Sequence, residues 1–378
     1  MLQGVRKFVC PEVVVGPGAR RLVGRYALNF GARHVLLVSD AGVRAAGWTD
    51  EVAAGLAAVG VGHTLFEALS PNPRDHEVMA GVAAYRAHGC DVIVVVGGGS
   101  PIDCAKAIGI CHTNDRPVGD FEGVDQVAVP GPPLICLPTT SGTAADVSQF
   151  SIIASPERRV KMAIVSKALV PDVALVDPEL TATMGPYLTA CTGLDALTHA
   201  VEAYVSTARS PLTDLHAVEA VRLTFLHLER AVAAPDDAAA RDGMTRASLH
   251  AGLAFSNAGL GAVHAMAHAL GGFLDLPHGA CNGILLDAVV ATTAVAAARY
   301  RDLHAAARAT SDLPGATFAA QVEALKAAVG VGRPLRDLGV SRSDLPFLTS
   351  NALRDACMAT HPCTLSRAEV EAIYVRAH

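Results

Sequence analysis

Between Asp195 and His278 a carboxylate and several histidines stand at spacings that suit one metal ion. Asp195 and His199 in GLDALTHAVEAY are four apart, so on a helix they share a face. His264 and His268 in GAVHAMAHALGG repeat that spacing, and His278 follows in a Leu-Pro-His-Gly turn. One carboxylate with two or three neutral imidazoles makes a borderline nitrogen and oxygen site for Fe(II), Zn(II) or a similar divalent ion. Such a site with an open position points to Lewis-acid catalysis. A chain with fifteen histidines produces one such pair by chance. Two pairs, each in an apolar, Gly- and Ala-rich helical segment, are harder to dismiss.

The second informative stretch is CDVIVVVGGGSPIDCAKAIGI. Asp91 to Val96 is the continuous apolar run of a strand buried on both faces. Gly97, Gly98, Gly99 and Ser100 turn the chain, and Pro101 suits the first position of a helix. A strand, a glycine turn and a helix N-terminus together make a phosphate-binding geometry, because backbone N–H groups and the helix dipole face the anion. A tight turn between strand and helix favours glycine too, and the run is not the G-x-G-x-x-G fingerprint.

These segments need a large frame. The chain has 378 residues, 51% of them hydrophobic and only 4% aromatic, which suits two domains or one large α/β body. Thirty basic and 36 acidic residues give a net charge of −6 with no basic run, so no nucleic-acid partner is expected. No stretch approaches a membrane span and no signal peptide opens the chain, so no membrane partner and a cytoplasmic location are expected. The nine scattered cysteines read as buried reduced thiols. Cys357 and Cys363 flank His361, but no second pair of ligands lies nearby, so they read as ordinary thiols.

Strand and helix signals alternate through the first half. Val13–Gly16, the run ending at Asp40, HTLFEAL, the GGGS strand, PLICLP and VALV read as strands. Trp48 to Val59 and Arg74 to His88 read as helices. Such alternation implies a parallel sheet covered on both faces. From about Thr189 strand signals vanish. Asp236 to Arg246, Val289 to Ala309 and Phe318 to Val329 read as helices, and Asp344, Ser366 and Glu369 supply cap and first-turn chemistry. The boundary falls near Met184–Tyr187, giving an α/β domain over residues 1–185 and an all-helical domain over residues 186–378.

At these residues the chain resembles the iron-containing, or group III, alcohol dehydrogenases. The matching motifs run nearly end to end: FEALSPNP, VVVGGGSPIDCAKAIG, PLICLPTTSGT, VKMAI, PDVALVDPEL, GLDALTHAVEAYVS, GAVHAMAHALGG and LPHGACN. Dehydroquinate synthase and glycerol dehydrogenase share the superfamily, but the two histidine motifs have the alcohol dehydrogenase form. The resemblance implies an N-terminal, Rossmann-like dinucleotide-binding domain, a C-terminal helical metal domain and an active site in the cleft between them. It implies metal ligation by Asp195, His199, His264 and His278, with Fe(II) the expected ion and Zn(II) the alternative. His268 matches the histidine near the nicotinamide and substrate. The nucleotide residues fall on Asp40, Gly98, Gly99, Ser100, Asp103, Thr139, Thr140 and Lys161. One departure stands out. The family usually reads GTGSE after the paired threonines, and this chain reads GTAAD, with Ala145 for serine and Asp146 for glutamate. The usual Leu-Pro before the metal helix is altered to Met184-Gly185-Pro186.

Asp40 ends a buried strand, where a carboxylate accepts both ribose hydroxyls of an adenosine and repels a 2′-phosphate. A helix N-cap is its other reading, and both can hold together. The expected cofactor is NAD rather than NADP. The implied reaction is reversible hydride transfer between a small primary alcohol or its aldehyde and C4 of the nicotinamide, with His268 relaying the proton. The segments around the histidines carry no carboxylate-binding cluster, and the metal pattern argues against a maleylacetate reductase. Phe150, Phe255 and Phe273 are candidate pocket walls, although core aromatics are commoner. A diol or lactaldehyde reductase, a hydroxyacid–oxoacid transhydrogenase, or a sensing protein with little turnover are the competing readings. A homodimer or larger homo-oligomer is expected.

Overall fold

The computed structural model describes residues 5–158, 160–274, 276 and 278–378. The chain forms two compact units. One spans Val9–Thr140 and Ala144–Thr183; the other spans Met184–His378 together with Ser141–Thr143 and Val5–Phe8. Val5–Phe8 and Ser141–Thr143 thus group with the helical unit. Phe8 stacks on His216 at 5.9 Å between ring centroids.

In the α/β unit the strands are β1 (Glu12–Val15), β2 (His34–Val38), β3 (Gly62–Phe66), β4 (Val92–Gly97), β5 (Gly123–Val124), β6 (Leu134–Pro138), β7 (Phe150–Ser155), β8 (Val160–Val165) and β9 (Val173–Val176). Between them run α1 (Val23–Asn29), α2 (Ala41–Ala45), α3 (Trp48–Ala57), α4 (Asp75–Ala87) and α5 (Gly99–Asn114). Six strands pair in parallel in the order β1-β9-β6-β4-β2-β3.

Alternation along the buried strands divides their side chains between two cores. Val35, Leu37, Val92, Val94 and Val96 pack with Val23 and Ala27 of α1 and Val52 and Leu56 of α3. Leu36, Val38, Ile93 and Val95 pack with Val78, Val82 and Tyr85 of α4 and Ile102 and Ile108 of α5. Chain order runs outward from β2 to β3, then returns to β4 on the other side of β2. The strand order thus reverses between β2 and β4, and the crevice at their carboxyl ends is where such sheets bind ligands.

The strands β5, β8 and β7 form a second, three-stranded sheet, with β7 and β8 antiparallel. This sheet is absent from the sequence reading. Phe150–Ser155 alternates half-buried and buried positions and carries two serines, so it lacks the apolar run that marks the central strands.

The GTAAD loop places Ala144 at φ 48°, in the left-handed region. An L residue there costs about 1–2 kcal/mol relative to glycine. Ala144→Gly is therefore expected to raise stability by about 1 kcal/mol, read as an upward shift of the thermal midpoint. An unchanged or lowered midpoint would show that the loop relieves the strain another way.

The helical unit contains α6 (Pro186–Val205), α7 (Pro211–Ala233), α8 (Ala238–Ala258), α9 (Ala262–Leu274), α10 (His278–Thr292), α11 (Ala297–Arg308), α12 (Phe318–Ala328), α13 (Leu345–Ala352) and α14 (Arg367–Ala377). Every residue of α6 from Thr189 to Val205 is buried, so this helix is enclosed on all sides. The single helix expected over Val289–Ala309 is broken, and its two arms meet at 78°. At the break, Thr292 Oγ1 donates to the carbonyl of Ala288, and Thr293 Oγ1 donates to that of Val289. Hydroxyls that bond back to the preceding turn compete with helix continuation. Ser366 caps α14 with a reciprocal Glu369 bond, as expected. His278 is the first residue of α10, not part of a turn; Pro277 of the same motif lies outside the described residues. Among the described residues no single helix is long and apolar enough to cross a membrane.

Candidate metal and nucleotide sites

The metal-type side chains come from three helices of the helical unit. Asp195 and His199 lie one turn apart on α6, His264 is in the first turn of α9, and His278 opens α10. The Nε2 atoms of His199, His264 and His278 lie 3.9, 3.8 and 3.8 Å from the same oxygen, Asp195 Oδ1. Asp195, His199 and His264 are buried, and their ligand-type atoms lie within 4.8 Å of one another, close enough to share an ion.

The outward-facing nitrogens decide what the inward-facing ones present. His199 Nδ1 donates to the Gly142 carbonyl at 3.2 Å, and His264 Nδ1 donates to Glu202 Oε2 at 2.6 Å. An imidazole that donates from Nδ1 keeps a bare lone pair on Nε2. Burial lowers the pKa of His199 and holds that of His264 well below the ordinary histidine value; neighbouring imidazoles push His264 further down. Both rings are therefore neutral near pH 7. One carboxylate oxygen and two bare nitrogens thus converge in a buried space. A divalent cation is the partner that such an acceptor-rich set fits.

Two close approaches make this arrangement possible. A Cβ on Gly142 would stand 2.5 Å from the Thr192 carbonyl oxygen, so only glycine lets this carbonyl reach His199. A Cβ on Gly279 would stand 2.3 Å from the Cys191 carbonyl oxygen, which blocks the approach of α10 to α6.

Glu202, Asn282 and Asp355 join the site without having been read from the sequence. Glu202 accepts from the backbone N–H groups of Gly261 at 2.9 Å and Val263 at 2.6 Å, besides His264. It thereby caps α9 at its positive end and orients the His264 ring. Glu202 lies three residues after His199 and seven after Asp195, on the same helical face. Asn282, one turn beyond His278, donates to Asp195 Oδ1 at 2.6 Å. His268 stacks on His278 at 5.2 Å, and its Nδ1 lies 2.9 Å from Asp355 Oδ2. Burial pushes the Asp355 carboxyl up, but the charge and hydrogen bond of His268 outweigh this and bring it to about 2. Asp355 also accepts the Cys357 N–H at 2.8 Å. His268, Asp355 and Cys357 lie close enough to hold an ion themselves. Burial, however, raises the Cys357 thiol well above its ordinary value and disfavours the thiolate that a metal takes. Cys357 and Cys363 are both free. Phe255 stacks on His199 at 4.1 Å, whereas Phe273 is exposed and pairs with Phe347.

In the α/β unit the nucleotide-type residues gather at the carboxyl ends of β2, β4 and β6. Asp40 follows β2 and caps α2, accepting the Val43 N–H at 2.9 Å, so its N-cap reading holds. Gly98 caps α5 in an extended conformation, and Gly99 and Ser100 form its first turn, two residues before the expected start at Pro101. Thr139 continues β6 by donating its N–H to Gly97, and Thr140 lies against Gly98. Lys161 reaches this end of the sheet through Asn72: Nζ donates to Asn72 Oδ1 at 2.8 Å, and Asn72 N–H donates to Ser100 Oγ at 3.3 Å. Asn72 sits at φ 59° in the SPNP turn. Asp103 faces β7, where it accepts the Ile152 N–H at 3.1 Å; burial pushes its carboxyl up to about 6.

The doubly wound sheet and the histidine-carboxylate cluster are accompanied by matches over both parts of the chain. Residues 10–178 match the iron-containing alcohol dehydrogenase family, and residues 189–378 match the C-terminal part of the Fe-containing alcohol dehydrogenase family. The chain belongs to that family. It is 39% identical to 1,3-propanediol dehydrogenase of Klebsiella pneumoniae over 98% of both chains. It is 36% identical to NAD-dependent methanol dehydrogenase of Bacillus methanolicus over 94% of this chain and 95% of the other. A crystal structure of 1,3-propanediol oxidoreductase superposes with a TM-score of 0.93 at 37% identity, covering 99% of this chain and 100% of that one. The protein is an NAD-dependent alcohol oxidoreductase of the type that uses a divalent metal.

Proposed function

We propose that Asp195, His199, His264 and His278 hold a single divalent cation, Fe(II) by family membership with Zn(II) as the alternative, and that the protein interconverts a small primary alcohol and its aldehyde with NAD(H). The observation that carries this reading is the convergence of the Asp195 carboxylate with two Nε2 lone pairs whose tautomers are fixed from outside. When bound, the cation supplies Lewis acidity that lowers the pKa of the alcohol hydroxyl. Asp195 offsets one of its two charges. Glu202 and the Gly142 carbonyl hold the His264 and His199 rings in the ligating tautomer. His268, held by Asp355, carries the proton between the alcohol oxygen and solvent. The name of the Klebsiella relative favours a short diol among the alcohols. The test is metal analysis of protein purified without chelator, combined with an alcohol and diol panel. Protein that turns over fully without a divalent ion would overturn the reading.

Gly98, Gly99 and Ser100 offer the helix N-terminus of α5 to the cofactor pyrophosphate. Thr139, Thr140 and Lys161 flank that position, and Asp103 of α5 ties the helix to β7 through the Ile152 N–H. Asp40 accepts the adenosine ribose hydroxyls. Wild type is expected to favour NAD(H) over NADP(H), and Asp40→Gly to narrow the preference by on the order of tenfold by removing charge repulsion. Glycine is tolerated at a helix N-cap, so the fold should survive. Ratios of kcat/KM for the two cofactors measure the effect, and a wild type that prefers NADP(H) removes Asp40 from the ribose site. The free state of all nine cysteines supports a reducing cytoplasmic setting. Among the described residues β1 is an edge strand of the main sheet, which supports association into a homodimer or larger homo-oligomer; light scattering measures it.

A further inference from the structure

Asn282 is fully buried on α10, one turn after His278. Its Nδ2 stands 2.6 Å from Asp195 Oδ1, 3.1 Å from His264 Nε2 and 3.2 Å from His278 Nε2. These are three of the four atoms assigned above to the cation. A cation bonded to all three at about 2.0–2.2 Å sits within their triangle. A nitrogen in contact with the same three corners stands over that triangle. An amide nitrogen offers a metal no lone pair, and its hydrogens aim at the atoms the metal needs. The Asn282 donor and a cation therefore exclude each other in this geometry. Asn282 Oδ1 is buried with no hydrogen-bond partner among the described residues, so no bond at that end anchors the amide where it stands.

We propose that Asn282 is a built-in placeholder for the cation. In the apoenzyme its two N–H groups, one of them shared, serve Asp195 Oδ1, His264 Nε2 and His278 Nε2 and keep three acceptor lone pairs from facing one another unpaired. The amide withdraws when the ion enters. Asn282 then stabilises the apoenzyme more than the loaded enzyme, and by linkage it weakens metal affinity and speeds metal exchange. This inference rests on the ligand set proposed above.

The experiment uses apoenzyme prepared by chelation and Zn²⁺ as the probe, with affinity measured by competition against a chromogenic chelator and thermal midpoints recorded on the same samples. Asn282→Ala is expected to lower the midpoint of the apoenzyme, to bind Zn²⁺ about tenfold more tightly than wild type, and to release it more slowly. Asn282→Ser, which retains a shorter polar group, serves if the alanine variant does not fold, with the same direction expected. A folded variant with equal or weaker Zn²⁺ affinity overturns the placeholder role. His264→Ala is the control for the underlying site. If it still binds Zn²⁺ like wild type, the ligand assignment itself fails, whatever Asn282 does.

Discussion

His264→Ala is expected to lose bound metal and alcohol oxidation together, with kcat/KM falling at least ~1000-fold. His264 is 1% exposed, and its ring is committed on both sides, Nδ1 to Glu202 and Nε2 toward Asp195. Removing it deletes one ligand and leaves the Glu202 carboxylate buried without its imidazole partner. His199 and His278 already face the same Asp195 oxygen, and the Nδ1 of His268 is engaged by Asp355. His278→Ala should follow the same direction. Metal content by mass spectrometry and steady-state kinetics on one preparation decide the matter. A variant that keeps full metal and full turnover removes the residue from the ligand set.

His268→Ala should behave differently: metal stays near stoichiometry while turnover falls by about 10²–10⁴. His268 lies beside the cluster, stacked on His278, but its Nδ1 is engaged by Asp355. Donation to that carboxylate fixes the ring and leaves Nε2 as the working nitrogen. Asp355→Asn should lower turnover in the same direction but less, since the ring persists without its orienting charge. Asp355 has a carboxyl held below its ordinary value, at about 2. The stability its carboxylate contributes is therefore present above the ordinary carboxylate range and is lost as the pH falls toward 2. Asp355 thus stays ionised across any practical assay range, so its own titration does not shape the pH–rate profiles of the variants. Loss of metal from His268→Ala, with His264→Ala retaining it, would reverse the two roles.

The physical basis of what was legible is visible element by element. β2, β4 and β6 are buried on both faces and therefore spell continuous apolar runs. The GGGS turn announces its helix through glycine and proline. The carboxylate–histidine cluster is legible because i, i+4 spacing on α6 makes a local pattern. The β7–β8 hairpin is half-buried and polar on one side, so its signal is weak. The break at Thr293 lies in an Ala-rich run without glycine or proline, and the helix ends through side-chain hydroxyl bonds that composition does not announce. Glu202 had a local signal, lying three residues beyond His199 on the same face. Asp355 had none, because 87 residues separate it from His268 and only the folded chain brings them together.

The enclosure of α6 also bears on how the protein is born. This helix packs against α7 and α8, which follow it directly, but also against α10, which emerges from the ribosome some eighty residues later. Until then one side of a strongly apolar helix, with Asp195 and Glu202 along its length, has nothing to cover it. Nascent chains halted between α8 and α10 should thus be a preferred substrate of chaperones that bind apolar helices, and cannot yet bring His278 to Asp195. With the proposed ligand set, metal loading belongs to the end of synthesis, not its middle.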